Sequence, residues 1–326
     1  MHSNERLILL ADEEIDALEK TDLEIRERIK SAIEETYNKT NARLTTQNGM
    51  LGRNIFRPNR YLFQELNTCF KIGHVVELAG ESRTRKTRLC LQLSAMLQIR
   101  ELAPRLAGAA VLYVSTDRRF QYEAFDQILL EMKQSHIIKK EAENNILVVQ
   151  IFTYELQCLF FDSCIHQILE KNKNIKLVVI DSVAANFRGT ADRGTCTAAI
   201  KTLKTVAVKH RLCVVCVNQV SSVIDEGDER AEIHPPPIHE DYTEENVQRT
   251  YKTKPVLQYK WSCNMNQRIF LTLPRAKNTR AQSPAHIFIF KGHFGIQKGL
   301  LLAENGLVIA ERDPPQPEDG GTECCD

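Results

Sequence analysis

Two groups of residues, far apart in the chain, have the types and spacing for phosphate chemistry. Gly80, Glu81, Ser82, Arg83, Thr84, Arg85, Lys86 and Thr87 read GESRTRKT. A glycine, a run of free positions and a final Lys-Thr is the order in which backbone N–H groups curl around phosphates, a lysine reaches the outer ones and a hydroxyl meets Mg²⁺. One position departs, because Arg85 stands where such a loop has its second glycine. That glycine lets the backbone turn in a way that costs about 1 kcal/mol or more once a Cβ is present. The second group is KLVVIDS, an apolar run ending in Asp181, the form of a carboxylate that holds Mg²⁺ at the carboxyl edge of a sheet. Read singly, Lys86 is a solvated cation at a helix start and Asp181 a polar strand end. Read in order, they are two halves of one nucleotide and Mg²⁺ site, with Arg85 weighing against tight binding or fast turnover.

These residues need a strand before the loop and a helix after it, so that loop N–H groups and the helix terminus face one anion. HVVELAG reads as a buried strand, and Lys86 to Leu102 as a helix with Leu89, Leu93 and Leu97 on one face. AAVLYVSTD, NILVVQIF, IKLVVIDS and RLCVVCVNQ follow as strands, with helices expected over 156–170 and 197–210. Strands alternating with helices predict an α/β fold with a mostly parallel central sheet covered by helices on both faces. Beyond Lys260 the alternation stops; NQRIFLTLPR, AHIFIFKG and ENGLVIAER read as short antiparallel edge strands.

Ahead of the core, Thr21 and Glu24 have capping-box spacing, and Ile25, Ile29, Ile33 and Tyr37 recur on one helical face. The expected organisation is a helical appendage over 1–43, a core over 44–312 and a disordered tail over 313–326. Residues 40–58, poor in apolar periodicity, read as a linker. Within the core, 221–259 reads as a mobile acidic loop.

Composition bounds the partners. The 326 residues are 43% hydrophobic and 26% charged, and 43 Lys and Arg balance 42 Asp and Glu. Contact with nucleic acid must therefore come from local patches. Lys201, Lys204, Lys209 and Arg211 form one such group, and Arg268, Arg275, Lys277 and Arg280 another. Solvated faces are the ordinary explanation of both. The apolar run LILLA is shorter than a signal-peptide core, so the ten cysteines are expected as free thiols in a reducing compartment. Cys213 and Cys216 have C-x-x-C spacing, yet LCVVCV is a buried-strand run, and core packing is the expected role.

The succession VVELAGESRTRKTRLCLQLSAMLQ, VLYVSTDRRF, LVVIDSVAANFRG and VVCVNQV resembles the RecA-like recombinases of eukaryotes and their paralogues in homologous-recombination repair. The likeness runs from about Leu44 to Arg312 and is nearest to the X-ray-repair cross-complementing branch. It implies that Gly80 to Thr87 cradle ATP and that Thr87 and Asp181 hold Mg²⁺. It also implies that Asp117 stands for the glutamate that polarises the attacking water, and that Gln219 senses the γ-phosphate. Arg188 and Arg193 would contact DNA from the first DNA loop. A carboxylate one methylene shorter than glutamate puts hydrolysis in doubt, and the acidic 221–259 segment would repel DNA.

No F-x-x-A tetrapeptide occurs in the chain, which argues against long homo-filaments. The resemblance implies a nuclear accessory paralogue in repair of double-strand breaks and crosslinks, and in meiotic recombination. It would partner DNA, another paralogue and the strand-exchange recombinase, with slow or absent turnover as a DNA-dependent ATPase. An active ATPase with strand-exchange activity and a nucleotide-free scaffold are the alternatives.

Overall fold

The computed structural model describes residues 51–132, 136–187, 193–222, 253–257, 261, 264–273, 284–291, 294–304 and 307–312. The 1–43 appendage, most of the acidic segment and the 313–326 tail lie outside the described residues.

The apolar runs form β1 (Val75–Gly80), β2 (Ala110–Ser115), β3 (Ile146–Gln150), β4 (Ile175–Asp181) and β5 (Cys213–Ser222). They are followed by β6 (Thr253–Pro255), β7 (Gln267–Thr272), β8 (Ala285–Lys291), β9 (Phe294–Glu304) and β10 (Leu307–Arg312). Among the described residues they make one sheet in the order β10-β9-β8-β7-β1-β5-β4-β2-β3, with β6 antiparallel on β5. The stretch from β7 to β3 is parallel, and β7 to β10 form an antiparallel meander. β7 belongs to both: it runs antiparallel to β8 but parallel to β1, where the sequence pattern predicts an antiparallel edge strand.

Period-two alternation sends each central strand's side chains to two cores. Val111, Tyr113, Leu177, Val179, Cys213 and Val215 pack on one face, and Leu112, Val114, Val178, Ile180, Val214 and Cys216 on the other. Both thiols of the C-x-x-C pair are fully buried in these cores, as their strand predicts, and burial pushes the Cys213 thiol above its usual range. The first core is covered by α2 (Lys86–Met96), α3 (Tyr122–Glu131) and α4 (His136–Asn144). The second is covered by α5 (Tyr154–Leu159), a π turn at Phe160–Cys164, α6 (Ile165–Lys171) and α7 (Arg193–Lys209).

Several expectations need correcting. The helix after the loop ends at Met96, and turns continue to the next strand. The helix expected over 156–170 starts at Tyr154, capped by the Thr153 hydroxyl accepting from Leu156 N, and is broken by the π turn. α3 and α4, between β2 and β3, are absent from the expected elements, although Phe125, Ile128, Leu129 and Met132 have the i, i+3, i+4, i+7 spacing of an amphipathic helix. Residues 51–58 are no linker, because Leu51, Ile55 and Phe56 are buried in the first core. Backbone bonds tie this segment down: Gly52 N donates to Ile72 O, Ile55 N to Phe70 O, and Ile72 N to Arg53 O. The short α1 (Gln64–Asn67) follows it.

Candidate nucleotide site

β1 delivers the loop and β7 shapes its start. A Cβ on Gly80 would lie 2.4 Å from Leu271 O on β7, so only glycine lets these strands close at this level. Glu81 extends the seam: its N–H donates to Leu271 O, and its carboxylate accepts from Leu273 N at 3.0 Å. The Glu81 side chain therefore braces the loop from behind. Thr84 is buried, with its hydroxyl donating to Glu81 O at 2.7 Å. It too is a brace.

Arg85 holds the left-handed conformation (φ 67°, ψ 21°) that its position demands of the usual glycine, so a Cβ sits where one costs about 1 kcal/mol. Its side chain does not lie simply over the loop: Nη1 donates to Leu301 O of β9 at 3.2 Å, anchoring the guanidinium to the meander. The helix after it is fixed from the same side. Buried Gln92 on α2 donates to Val308 O (2.6 Å) and accepts from Val308 N (2.7 Å), so one side chain pairs with β10 as a strand would.

Lys86 opens α2 and bends back over the loop, donating to Gly80 O (2.7 Å), Glu81 O (2.5 Å) and Thr84 Oγ1 (3.3 Å). Burial lowers its pKa to about 8, opposed by the charges of Asp181 and Glu81. Asp181 closes β4 opposite. Burial pushes its carboxyl up from the usual range, while hydrogen bonds from Thr87 and Tyr113 and the Lys86 cation pull it down. The Tyr113 hydroxyl donates to Asp181 Oδ2 at 2.9 Å.

A cavity of about 800 Å³ opens between these groups, within the size range of small-molecule and cofactor sites. Gly80, Ser82, Arg83, Arg85, Lys86 and Thr87 line it from the loop. Asp181, Asp117 and Gln219 line it from the ends of β4, β2 and β5. Every residue that the resemblance assigns to phosphate, metal or water thus reaches one cavity, except the two braces Glu81 and Thr84. Asp117 is exposed, on the turn after β2, and Gln219 lies beside Gly80 in the parallel register of β1 and β5. Arg188 lies outside the described residues; Arg193 opens α7, with its side chain outside them.

Tyr113, Arg118 and Arg119 also stand on the cavity wall, and reading the sequence for motifs misses them. Tyr113 lies on β2 two positions before Ser115, on the same face of the strand, and the arginine pair directly follows Asp117. Both signals are present in the chain. A second arrangement corrects an expectation: Arg268, grouped by sequence with a DNA-contacting patch, is buried. Its Nε lies 2.6 Å from Glu77 on β1, and Asn218 on β5 donates to the same carboxylate at 2.7 Å.

The chemistry of the donor set suits a polyphosphate. The N-terminal end of α2, Lys86 and the surrounding arginines offer positive charge, and the Thr87 hydroxyl and Asp181 carboxylate are hard oxygen ligands of the kind Mg²⁺ takes.

Comparison with known proteins identifies the family. The Rad51 family profile matches residues 57–237, more than half the chain. The DNA repair and recombination protein RadA of Aeropyrum pernix is 33% identical over 130 residues, 40% of this chain and 39% of that protein. The DNA repair protein XRCC3 of Bos taurus is 29% identical over 172 residues, 47% of this chain and 49% of that protein. The chain thus spans less than half the length of each of these relatives. Among solved structures, the RadB recombinase aligns with a TM-score of 0.51 at 19% identity, covering 74% of this chain and 91% of that one, a likeness of fold. The chain belongs to the Rad51 family.

Proposed function

We propose that the protein is an accessory recombinase paralogue of homologous-recombination repair, binding ATP with Mg²⁺ and turning it over slowly or not at all. The observation that carries this reading is the asymmetry of the cavity. Its binding side keeps its polar groups despite Arg85: Lys86 is poised at the loop, and Thr87 hydrogen-bonds Asp181. Its hydrolytic side is reduced to an exposed aspartate, Asp117. With nucleotide bound, Lys86 exchanges the loop carbonyls for phosphate oxygens, and Arg83 adds charge from the exposed face of the loop. Thr87 and Asp181 would hold Mg²⁺, which would supply charge neutralisation to the phosphates. Gln219 links the cavity to the segment beyond β5, since its carbonyl accepts from Val256 N at the return of that segment.

Membership of the Rad51 family and the likeness to RadA and XRCC3, each named for DNA repair, support the recombination role. In this reading the chain acts in the nucleus, in repair of breaks and crosslinks and in meiosis. It pairs with another paralogue and helps load or stabilise the strand-exchange recombinase on DNA. The test is ATP turnover by the purified protein with and without single-stranded DNA, beside a nucleotide titration. Saturable binding with turnover little above background is the expected outcome. Rapid DNA-stimulated turnover would make the protein an active ATPase, and absence of binding would make it a scaffold. Restoring the longer carboxylate with Asp117→Glu should raise turnover without changing affinity.

A further inference from the structure

The N-terminal edge of the parallel sheet lies opposite the nucleotide cavity, and there two chain segments bring cations together. The first runs from the end of α6 into β4 and carries Lys171, Lys173 and Lys176; the second runs from the end of α7 into β5 and carries Lys209 and Arg211. β4 and β5 are parallel neighbours, with Leu177 opposite Cys213, so the two turns lie side by side. Contacts across them are direct: Lys176 Nζ donates to Lys173 O at 2.9 Å and to His210 O at 3.3 Å, and Lys209 reaches Glu170 at 2.9 Å.

The ordinary explanation covers only part of this group. Lys171 and Lys209 occupy the last turns of α6 and α7, where a cation complements the helix dipole. Lys173, Lys176 and Arg211 lie beyond the helix ends, where Lys176 donates to the His210 carbonyl just after α7. They also repel: the Arg211 charge helps hold the Lys176 amine below its usual pKa, after burial, and Lys209 and Lys176 both disfavour a charged His210. Lys171, Lys173, Lys209 and Arg211 are exposed. In a chain whose formal net charge is +1, this is a local concentration. No large apolar side chain among the described residues is exposed on either turn, so the surface lacks the apolar face that membrane insertion uses.

We infer that this edge is a binding surface for the phosphate backbone of duplex DNA, separate from the nucleotide cavity and from the family's DNA loops. The choice of DNA as the polyanion rests on the recombination reading. The contacts would be to phosphates alone, so they carry affinity and no sequence preference.

The test is binding of a fluorescent mixed-sequence duplex to the full chain over a range of salt, for wild type and for Lys171→Gln/Lys173→Gln/Arg211→Gln. Each cation that pairs with a phosphate steepens the fall of log K with log salt by about 0.9, so the triple variant should flatten the slope by about 2 to 3. Lys173→Gln alone should flatten it by about 0.9. Lys140→Gln, at an exposed position on α4 that is part of neither the cavity lining nor these two turns, serves as control and should keep the wild-type slope. An unchanged slope in the patch variants, an equal flattening in the control, or no duplex binding by wild type would each overturn the inference. A nucleotide titration on the same wild-type protein separates that failure from failure of the recombination reading.

Discussion

Two cation–carboxylate arrangements share the central strands and differ in what surrounds them. Glu77 and Arg268 sit in the interior, facing each other in the register of β1 and β7, with side-chain exposure of 0% and 7%. Asn218 satisfies the second carboxylate oxygen and pairs with both the N–H and carbonyl of Leu257. Every partner here is protein, so the charges fix three strands and the return from β5 in one register. Lys86 opens α2 and Asp181 ends β4, both at the carboxyl edge of the sheet. Lys86 is held by backbone carbonyls and Asp181 by hydroxyls, all of which can be exchanged for a ligand. A buried charge with side-chain partners is architecture, and a charge held on exchangeable partners at a cavity wall is a binding group.

Breaking the first arrangement should have the largest effect. Glu77→Ala leaves Arg268 buried without its carboxylate and should cost about 3–5 kcal/mol of stability, read as a lowered denaturant midpoint. An effect under about 1 kcal/mol would place that pair with ordinary surface bridges. Breaking the second should cost binding and not stability. Lys86→Ala should weaken nucleotide affinity by at least about tenfold, ~1.4 kcal/mol. Because burial lowers the amine's pKa, its charged form burdens the fold below about pH 8, so the variant should melt no lower than wild type.

The same lowered pKa sharpens the contrast through pH. Below about 8 the free amine already carries its proton and affinity should be flat. Above that, the free protein must take up a proton to pair Lys86 with phosphate, so affinity should fall by up to about tenfold per pH unit. The Lys86→Ala profile should lack this fall. The smallest effect is expected at Arg85. Arg85→Gly relieves a left-handed Cβ but loses the bond to Leu301 O, and the two should cancel to within about 1 kcal/mol of stability. A larger loss would show that the anchor to β9, and not the loop, is what that arginine is for.

What was legible in the sequence follows the same division. Gly80, Lys86, Thr87 and Asp181 could be read because phosphate chemistry dictates residue types over a short local span. The parallel sheet could be read because strands buried on both faces leave unbroken apolar runs. Arg268 could not be placed, since its partner Glu77 is 191 residues away and the β1–β7 register that joins them leaves no local trace. For the same reason β7 looked like an edge strand when β1 flanks it. Residues 51–58 looked like a linker because Leu51, Ile55 and Phe56 enter the core singly, without the period of a helix or strand. Arg85 could be read only as a departure from glycine, because its anchor on Leu301 lies 216 residues on.

The central claim is that GESRTRKT still cradles phosphate although an arginine stands in its second glycine position. Titration of a fluorescent ATP analogue with Mg²⁺ into wild type and Lys86→Ala, each first shown to melt cooperatively, tests it most directly. Saturable binding by wild type that is lost in the folded variant is the expected result. Equal binding by both proteins, or none by either, would contradict it.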